Sequence, residues 1–187
     1  NNGISDLSES LRLLPKIQNF DLKMGGLECR ISDLGMRKIA ELVNAFANLT
    51  SLKLNFFNLK MTDDPITELF EAISQKKGIE NLEIELKKCS YLSDLVIIQG
   101  GNLLSRIPAL KRCSLDFSSC SKISDSDIEV LFNNLMKATK LEYLCINLDT
   151  TPISQSGLKN LAVWISGRCS AALFLKIRNK EYSKENF

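Results

Sequence analysis

Two acidic residues, Glu85 and Asp116, occupy the same position in two similar segments, IENLEIEL from Ile79 and LKRCSLDF from Leu110. If these segments are neighbouring strands of one sheet, the two carboxylates lie roughly 5 Å apart across the ladder. Such a pair could serve general acid–base catalysis, or it could hold a lysine or arginine of a partner. It could equally belong to a solvated polar face in which like charges repel weakly. The rest of the sequence argues against the first of these possibilities and leaves the other two open.

The sequence lacks histidine and the common catalytic motifs. The chain has no histidine that could act as a base near neutral pH. It also lacks a phosphate-binding glycine motif and a GxSxG elbow, and the pairs Gly25–Gly26 and Gly100–Gly101 are typical of loops. We therefore predict a protein that is not an enzyme, with no catalytic residue, no cofactor and no metal ion.

Cysteine is the remaining candidate for chemistry. The six cysteines form no CxxC pair, and no histidine is present to complete a mixed metal site. Several of them stand at apolar positions of the repeat described next. We expect small buried thiols in a reducing compartment rather than disulfides. The six are Cys29, Cys89, Cys113, Cys120, Cys145 and Cys169.

A repeated pattern runs through the chain. Six segments read apolar-x-x-apolar-x-apolar-x-apolar, and their first residues stand 32, 30, 31, 31 and 29 positions apart. The last five residues of each segment alternate strictly, as Phe20, Leu22 and Met24 do in the first segment. An alternation with a period of two residues predicts a strand with one buried face. The segments begin at Ile17, Leu49, Ile79, Leu110, Leu141 and Ser170.

A second signal follows 12 to 14 residues after each of the first five starts. An apolar residue precedes Ser or Thr, Asp usually follows, and apolar residues then recur at helical spacing. The hydroxyl is expected to accept hydrogen bonds from the first helical turn, where Asp also suits the positive end of the helix. We expect the third of these helices to be short or broken, because Gly100 and Gly101 interrupt it. The signals begin at Ile31, Met61, Leu92, Ile123 and Ile153.

These residues carry a family resemblance. LDFSSCSKISD (residues 115–125) resembles the strand, cysteine and helix start of the cysteine-containing class of the leucine-rich-repeat superfamily, and IELKKCSYLSD (residues 84–94) matches it in the same register. The chain is also similar to the ribonuclease-inhibitor-like class. The resemblance covers residues 4–177 and implies that Cys89 and Cys120 lie buried beneath a turn. It further implies a protein-recognition scaffold, since such families serve mostly in recognition.

A strand–helix unit of this length buries its apolar faces by stacking on its neighbours. We therefore predict an α/β leucine-rich-repeat solenoid over residues 1–177, with a curved parallel β-sheet on the concave side and α-helices on the convex side. Residues 1–16 are predicted to be the helical half of a further unit. For residues 178–187 we expect a polar tail, which either is solvated or guards the open edge of the last strand.

The outward side chains of the predicted strands form a polar face on which four acids and four bases cancel. Glu83 has Lys53 as its lateral neighbour, which relieves part of the negative field around Glu85 and Asp116. Trp164 is either a filler between helices or an exposed anchor for a neighbouring protein. The candidate partner-binding residues are Lys53, Glu83, Glu85, Arg112, Asp116, Tyr143, Trp164 and Phe174.

Composition limits the class of partner. The 187 residues are 44% hydrophobic and 25% charged, as in an ordinary globular protein. No apolar run approaches the ~18 residues of a membrane span. With 24 basic and 22 acidic residues the net charge is +2, without the strong basic excess of nucleic-acid binders. We expect protein partners, and neither a membrane nor a nucleic acid.

Together these features predict a non-catalytic protein-recognition scaffold, a subunit or fragment of a larger intracellular assembly in the cytoplasm or an organelle. A hetero-complex is favoured over a homo-oligomer. The alternative is a substrate receptor or regulatory module in ubiquitin ligation or small-GTPase regulation, although the sequence contains no recognisable F-box. A ribonucleoprotein component is a third hypothesis, which would require salt-sensitive binding to RNA.

Overall fold

A computed structural model of the 187-residue chain describes residues 2–12, 14, 16–26, 31–157, 159–161, 172–177 and 180–183. Within these ranges helices and strands alternate along the chain, and residues 155–157 and 159–161 are also helical. The helices are α1 (Asn2–Arg12), α2 (Asp33–Ala45), α3 (Asp63–Ser74), α4 (Asp94–Leu104) and α5 (Asp125–Leu135). The strands are β1 (Asn19–Gly25), β2 (Ser51–Phe57), β3 (Asn81–Glu85), β4 (Arg112–Asp116), β5 (Tyr143–Asn147), β6 (Ala172–Ile177) and β7 (Lys180–Ser183).

All seven strands belong to one sheet, in which their spatial order is their order in sequence. Each of β1 to β5 pairs in parallel with the strand that follows it. Parallel neighbours require a crossover connection, and α2 to α5 supply it between β1 and β5. The predicted α/β class, a parallel sheet alternating with helices, is therefore confirmed.

The hydrophobic core lies between the sheet and the helices. In β2 the buried residues Leu52, Leu54 and Phe56 alternate with residues that are at least partly exposed. Ile66 and Leu69 of α3 are also buried, and all five side chains belong to one core cluster. The period of two in the strands and the helical spacing in the helices thus line opposite walls of the same core.

Helix α4 is continuous through Gly100 and Gly101, so the expectation of a short or broken helix was wrong. A Cβ atom on Gly100 would stand 2.7 Å from the Phe70 ring, and one on Gly101 would stand 2.9 Å from the side chain of Leu131. The glycines therefore allow α4 to approach α3 on one side and α5 on the other. Close packing outweighs the low helix propensity of glycine here.

The segment after β6 also differs from the solvated tail expected from sequence. Residues Lys180–Ser183 form β7, which pairs antiparallel with β6 and covers its edge. This arrangement agrees with the alternative that the polar segment guards the open edge of the last parallel strand.

Each strand from β2 to β5 is followed by the same turn. One residue in each turn has a positive φ angle, between 55° and 61°, and the residue after it is buried. At three of these buried positions the side chain donates to the backbone: the Cys89 Sγ lies 3.4 Å from the Phe56 oxygen, the Cys120 Sγ lies 3.1 Å from the Leu86 oxygen, and the Thr151 Oγ1 lies 2.7 Å from the Leu148 oxygen. The positive-φ residues are Asn58, Lys88, Ser119 and Thr150.

Hydrogen bonds link the start of one helix to the start of the next. At the start of α4, the Ser93 N–H and hydroxyl donate to the two carboxylate oxygens of Asp63 in α3, at 2.8 and 2.5 Å. Thr62 donates in the same way to Asp33, and Ser154 donates to Asp125. We call this contact the Asp–Ser/Thr bridge.

The bridge adds a second role to the one expected for these hydroxyls. Ser32, Thr62, Ser93 and Ser124 occupy the N-cap positions, as predicted. Among these four, the Ser93 hydroxyl accepts a hydrogen bond from the Leu95 N–H at 3.2 Å, and the Ser124 side chain accepts one from the backbone of Asp127 in a capping box. The Ser154 hydroxyl likewise accepts from the Gly157 N–H at 3.0 Å. The aspartate at the start of the preceding helix lies close enough to accept a hydrogen bond from the hydroxyl. The hydroxyls of Thr62 and Ser93 therefore act as donors between helices.

Candidate functional site

One face of the sheet is packed against the helices, and no described element covers the other. We call this uncovered surface the strand face. Its side chains are half-buried or exposed in β2 to β5, in contrast to the buried residues between them. The parallel register aligns its residues in rows that run across the strands, so the row neighbours lie ~5 Å apart.

The register places three rows on the strand face, as the repeat spacing predicted. The first row is Asn19, Ser51, Asn81, Arg112, Tyr143 and Ala172, and the second is Asp21, Lys53, Glu83, Ser114, Cys145 and Phe174. The third row is Lys23, Asn55, Glu85, Asp116, Asn147 and Lys176.

A groove of about 360 Å³ crosses the strand face from β2 to β5 along the first two rows. Two side-chain pairs define its floor. The Lys53 Nζ lies 2.8 Å from the Glu83 Oε2, and this hydrogen-bonded carboxylate raises the pKa of Lys53. The Arg112 guanidinium lies 4.2 Å from the centre of the Tyr143 ring, in a cation–π contact. The groove therefore offers charge of both signs and one aromatic surface.

The third row contains the acidic pair found in the sequence. β3 and β4 pair Glu85 with Asp116, which confirms the predicted adjacency of the two residues. An asparagine flanks each carboxylate: the Asn55 Nδ2 donates to the Glu85 Oε2 at 2.5 Å, and the Asn147 Nδ2 donates to the Asp116 Oδ2 at 2.8 Å. Asp116 also accepts the Ser118 N–H at 2.8 Å.

The environment of Glu85 disfavours its charge. Partial burial raises the pKa of its carboxyl, and the negative charges of Asp116 and Glu83 raise it further. A positive group placed beside Glu85 and Asp116 would offset both effects. The geometry thus permits a partner's lysine or arginine here, and it equally permits a polar face with mild repulsion.

The structure brings six of the eight candidate residues together. Four lie in the groove and two form the acidic pair beside it. Phe174 occupies the β6 position that pairs with Cys145, and Trp164 lies outside the described residues. The six are Lys53, Glu83, Arg112, Tyr143, Glu85 and Asp116.

The sequence did not reveal the part played by Asn55 and Asn147. Both stand in the predicted outward row of Glu85 and Asp116, and this common register was the signal that could have identified them. Their amide orientation depends on side-chain geometry and therefore required coordinates.

Thiol chemistry is disfavoured where the cysteines are described. Cys89, Cys113 and Cys120 are buried and free of disulfides, as predicted, whereas Cys145 is half-buried. Burial raises the pKa of Cys89 to about 11 and those of Cys113 and Cys120 to about 12. These three are protonated near neutral pH and are poor nucleophiles. Cys29 and Cys169 lie outside the described residues.

Across the described ranges, no helix is both long enough and apolar enough to cross a membrane. In the same part of the chain, no group of three or more His, Cys, Asp or Glu side chains is arranged to hold a metal ion. No protein-family model matches the chain, and no curated protein is significantly similar to it in sequence.

Proposed function

We propose that this chain is a non-catalytic protein-recognition scaffold, a leucine-rich-repeat solenoid whose strand face holds a segment of a partner protein within a larger intracellular assembly. The observation that carries the proposal is the groove on the strand face, with the Arg112–Tyr143 contact and the Lys53–Glu83 ion pair on its floor.

The repeated turns support the assignment to leucine-rich repeats. The four positive-φ residues recur at intervals of about one unit, and each precedes a buried residue. Cys89 and Cys120 occupy two of these positions, and each thiol reaches a backbone oxygen, Phe56 O at 3.4 Å and Leu86 O at 3.1 Å respectively. Strand–helix units that repeat in this way bury their apolar surfaces by stacking, which is the principle of a solenoid.

The composition of the groove supports recognition of a protein. Arginine and tyrosine are the residue types in which binding energy concentrates at protein interfaces. The cation–π contact holds Arg112 and Tyr143 in place before a partner arrives, which lowers the entropy lost on binding. The mixed charge of the floor favours a partner that carries complementary charges of both signs.

The proposal is tested by comparing what the wild type and a strand-face variant retain from a lysate of the source organism. The strand-face variant is Arg112→Ala with Tyr143→Ala. A matched control, Lys38→Ala with Glu41→Ala, removes an exposed ion pair on α2. We expect one partner to be retained equally by the wild type and the control. The amount retained by the strand-face variant should be at least ~10-fold lower, because truncating an interface hot spot reduces the binding free energy by more than ~1 kcal/mol.

Two outcomes would contradict the proposal. A partner that persists on the strand-face variant but is lost on the control would place recognition on the helices. Recovery of the wild type alone as a stable monomer would remove the support for an assembly. Circular dichroism of all three proteins establishes that the variants are folded.

A further inference from the structure

A second charged surface lies away from the strand face, where the helices end and the next strands begin. The turns from α3 to β3, α4 to β4 and α5 to β5 comprise residues 75–80, 105–111 and 136–142. They contain six basic and two acidic residues, a net charge of +4. The segments at the opposite ends of the strands, taken together with the first residues of α3, α4 and α5 (58–64, 87–94, 118–127 and 148–154), contain four lysines and six aspartates, a net charge of −2. Five of these six aspartates belong to the helix starts.

Within the described part of the chain, one cation of the first group, Lys111, has a carboxylate partner, Glu80, at 3.0 Å. Lys76, Arg106 and Lys137 contact neutral oxygens, those of Asn44, Asn102 and Asn134. Among the described residues, no ion pair involves these three, Lys77 or Lys140. We call Lys76, Lys77, Arg106, Lys137 and Lys140 the basic edge.

The fold does not require a charge at every turn of this kind. The turn from α2 to β2, residues 46–50, contains no charged residue, yet its backbone closes in the same way: the Phe46 N–H donates to the Val43 oxygen as the Lys76 N–H donates to the Ile73 oxygen. The last turns of α3, α4 and α5 contain no basic residue. Stabilisation of helix ends by cations decays beyond the last turn, so it accounts poorly for a charge of this size.

Burial disfavours the charged form of one of these cations, Lys76. Desolvation lowers the pKa of Lys76, whose ammonium contacts the Asn44 carbonyl. An arriving carboxylate would supply the missing counter-charge. On the helix side the positive charge of the basic edge ends at Glu71, a negatively charged residue that lines a groove together with Arg106.

The size of the basic edge selects the kind of anion. Three neighbouring units span about 10 Å at the strand ends and about 20 Å at the helix ends, given the spacings of strands and packed helices. An extended peptide of about six residues matches the longer distance, at ~3.3 Å per residue. A nucleic-acid strand would place about six phosphates over the same distance, at ~3.4 Å each, but these turns contain no aromatic residue on which a base could stack.

We propose that the basic edge is a docking site for an extended acidic segment of a protein, separate from the strand face. The carboxylates of the segment lie along the turns and pair with Lys77, Arg106 and Lys137. Because exposed ion pairs are individually weak, the contact adds affinity and orientation to a complex rather than forming one alone.

The test measures fluorescence anisotropy of a labelled hexaglutamate peptide with the full chain at low salt. The variant Lys77→Glu, Arg106→Glu, Lys137→Glu reverses three cations of the basic edge. The matched control Lys60→Glu, Lys87→Glu, Lys122→Glu makes the same change in net charge at the opposite turns. We expect the first variant to lose at least ~10-fold in affinity and the control to lose less than ~3-fold.

Three results would overturn the proposal. Equal losses in both variants would mean that the peptide senses only net charge. Unchanged affinity in the first variant would place the peptide elsewhere. Tighter binding of a 12-nucleotide RNA than of hexaglutamate would identify the edge as a phosphate-binding surface instead. The strand-face variant Arg112→Ala with Tyr143→Ala should bind hexaglutamate normally, so failure of this proposal and failure of strand-face recognition are distinguished.

Discussion

Two neighbouring junctions in the molecule differ in how their polar side chains are paired. The second unit (β2 and α3) meets the third (β3 and α4) through complementary contacts. Asn55 donates to Glu85 on the strand face, and Ser93 bridges to Asp63 at the helix starts. Every polar group named at this junction has a partner of the opposite kind.

The third unit meets the fourth (β4 and α5) differently. On the strand face Glu85 lies beside Asp116, a neighbour of like charge. At the helix starts Ser124 does not bridge to Asp94. Its N–H and hydroxyl donate instead to Asp127 of its own helix, at 2.7 and 2.6 Å.

The comparison shows why a repeated motif does not guarantee a repeated contact. The helix starts of the third and fourth units both read Ser-Asp, but the fourth unit has a second carboxylate, Asp127, at the third position of α5. A carboxylate in the same helical turn is held near the N-cap without any contribution from packing. It therefore competes successfully with the aspartate of the neighbouring unit.

The largest effect is expected from Asp127→Ala. Asp127 is buried and accepts two hydrogen bonds from Ser124. Its removal leaves the Ser124 N–H without this acceptor and leaves the Ser124 hydroxyl with the Ser126 hydroxyl, 2.9 Å away. We expect the free energy of unfolding to fall by about 2–3 kcal/mol, measured by urea denaturation. Asp127→Asn, which keeps an acceptor oxygen, should lose less.

Asp127→Ala also tests whether the neighbouring aspartate is an alternative acceptor. If Ser124 turns to Asp94 when Asp127 is absent, then Asp94→Ala will cost more in the Asp127→Ala background than in the wild type. Strict additivity of the two substitutions would show that the fourth unit cannot form the bridge. A loss below ~0.5 kcal/mol in Asp127→Ala itself would contradict the role of the buried carboxylate.

A smaller effect should separate the two junctions directly. Asp63→Ala removes the acceptor of both hydrogen bonds from Ser93, whereas Asp94 is exposed and makes no bridge. We expect Asp63→Ala to lower the free energy of unfolding by about 1–2 kcal/mol and Asp94→Ala to change it by less than ~0.5 kcal/mol. Equal losses would mean that the bridge adds nothing beyond the charge at a helix start.

The sequence predicts those contacts that follow from the regular spacing of the strand segments. The spacing of the segments places Glu85 beside Asp116, because a parallel register has few alternatives once one face is buried. The sequence does not predict the Asp63–Ser93 bridge, since it depends on the distance between two packed helices. It also misleads at Gly100, where propensity indicates a break and packing against Phe70 decides otherwise.

The smallest effect concerns the like charges on the strand face. The pKa of Glu85 is raised, so the folded protein binds its proton more readily than the unfolded chain does. The contribution of this group to stability is therefore greatest below the ordinary pKa of glutamate and is lost as the pH rises through the raised value. Glu85→Gln removes the charge and retains an oxygen that can accept from Asn55. We expect this variant to match the wild type at pH 4 and to be more stable by some tenths of a kcal/mol at pH 7, measured by urea denaturation.

Glu83→Gln is the control, because it breaks the ion pair with Lys53 and should bring no gain at pH 7. A stability difference for Glu85→Gln that does not change with pH would show that repulsion between Glu85 and its acidic neighbours is absent at this junction.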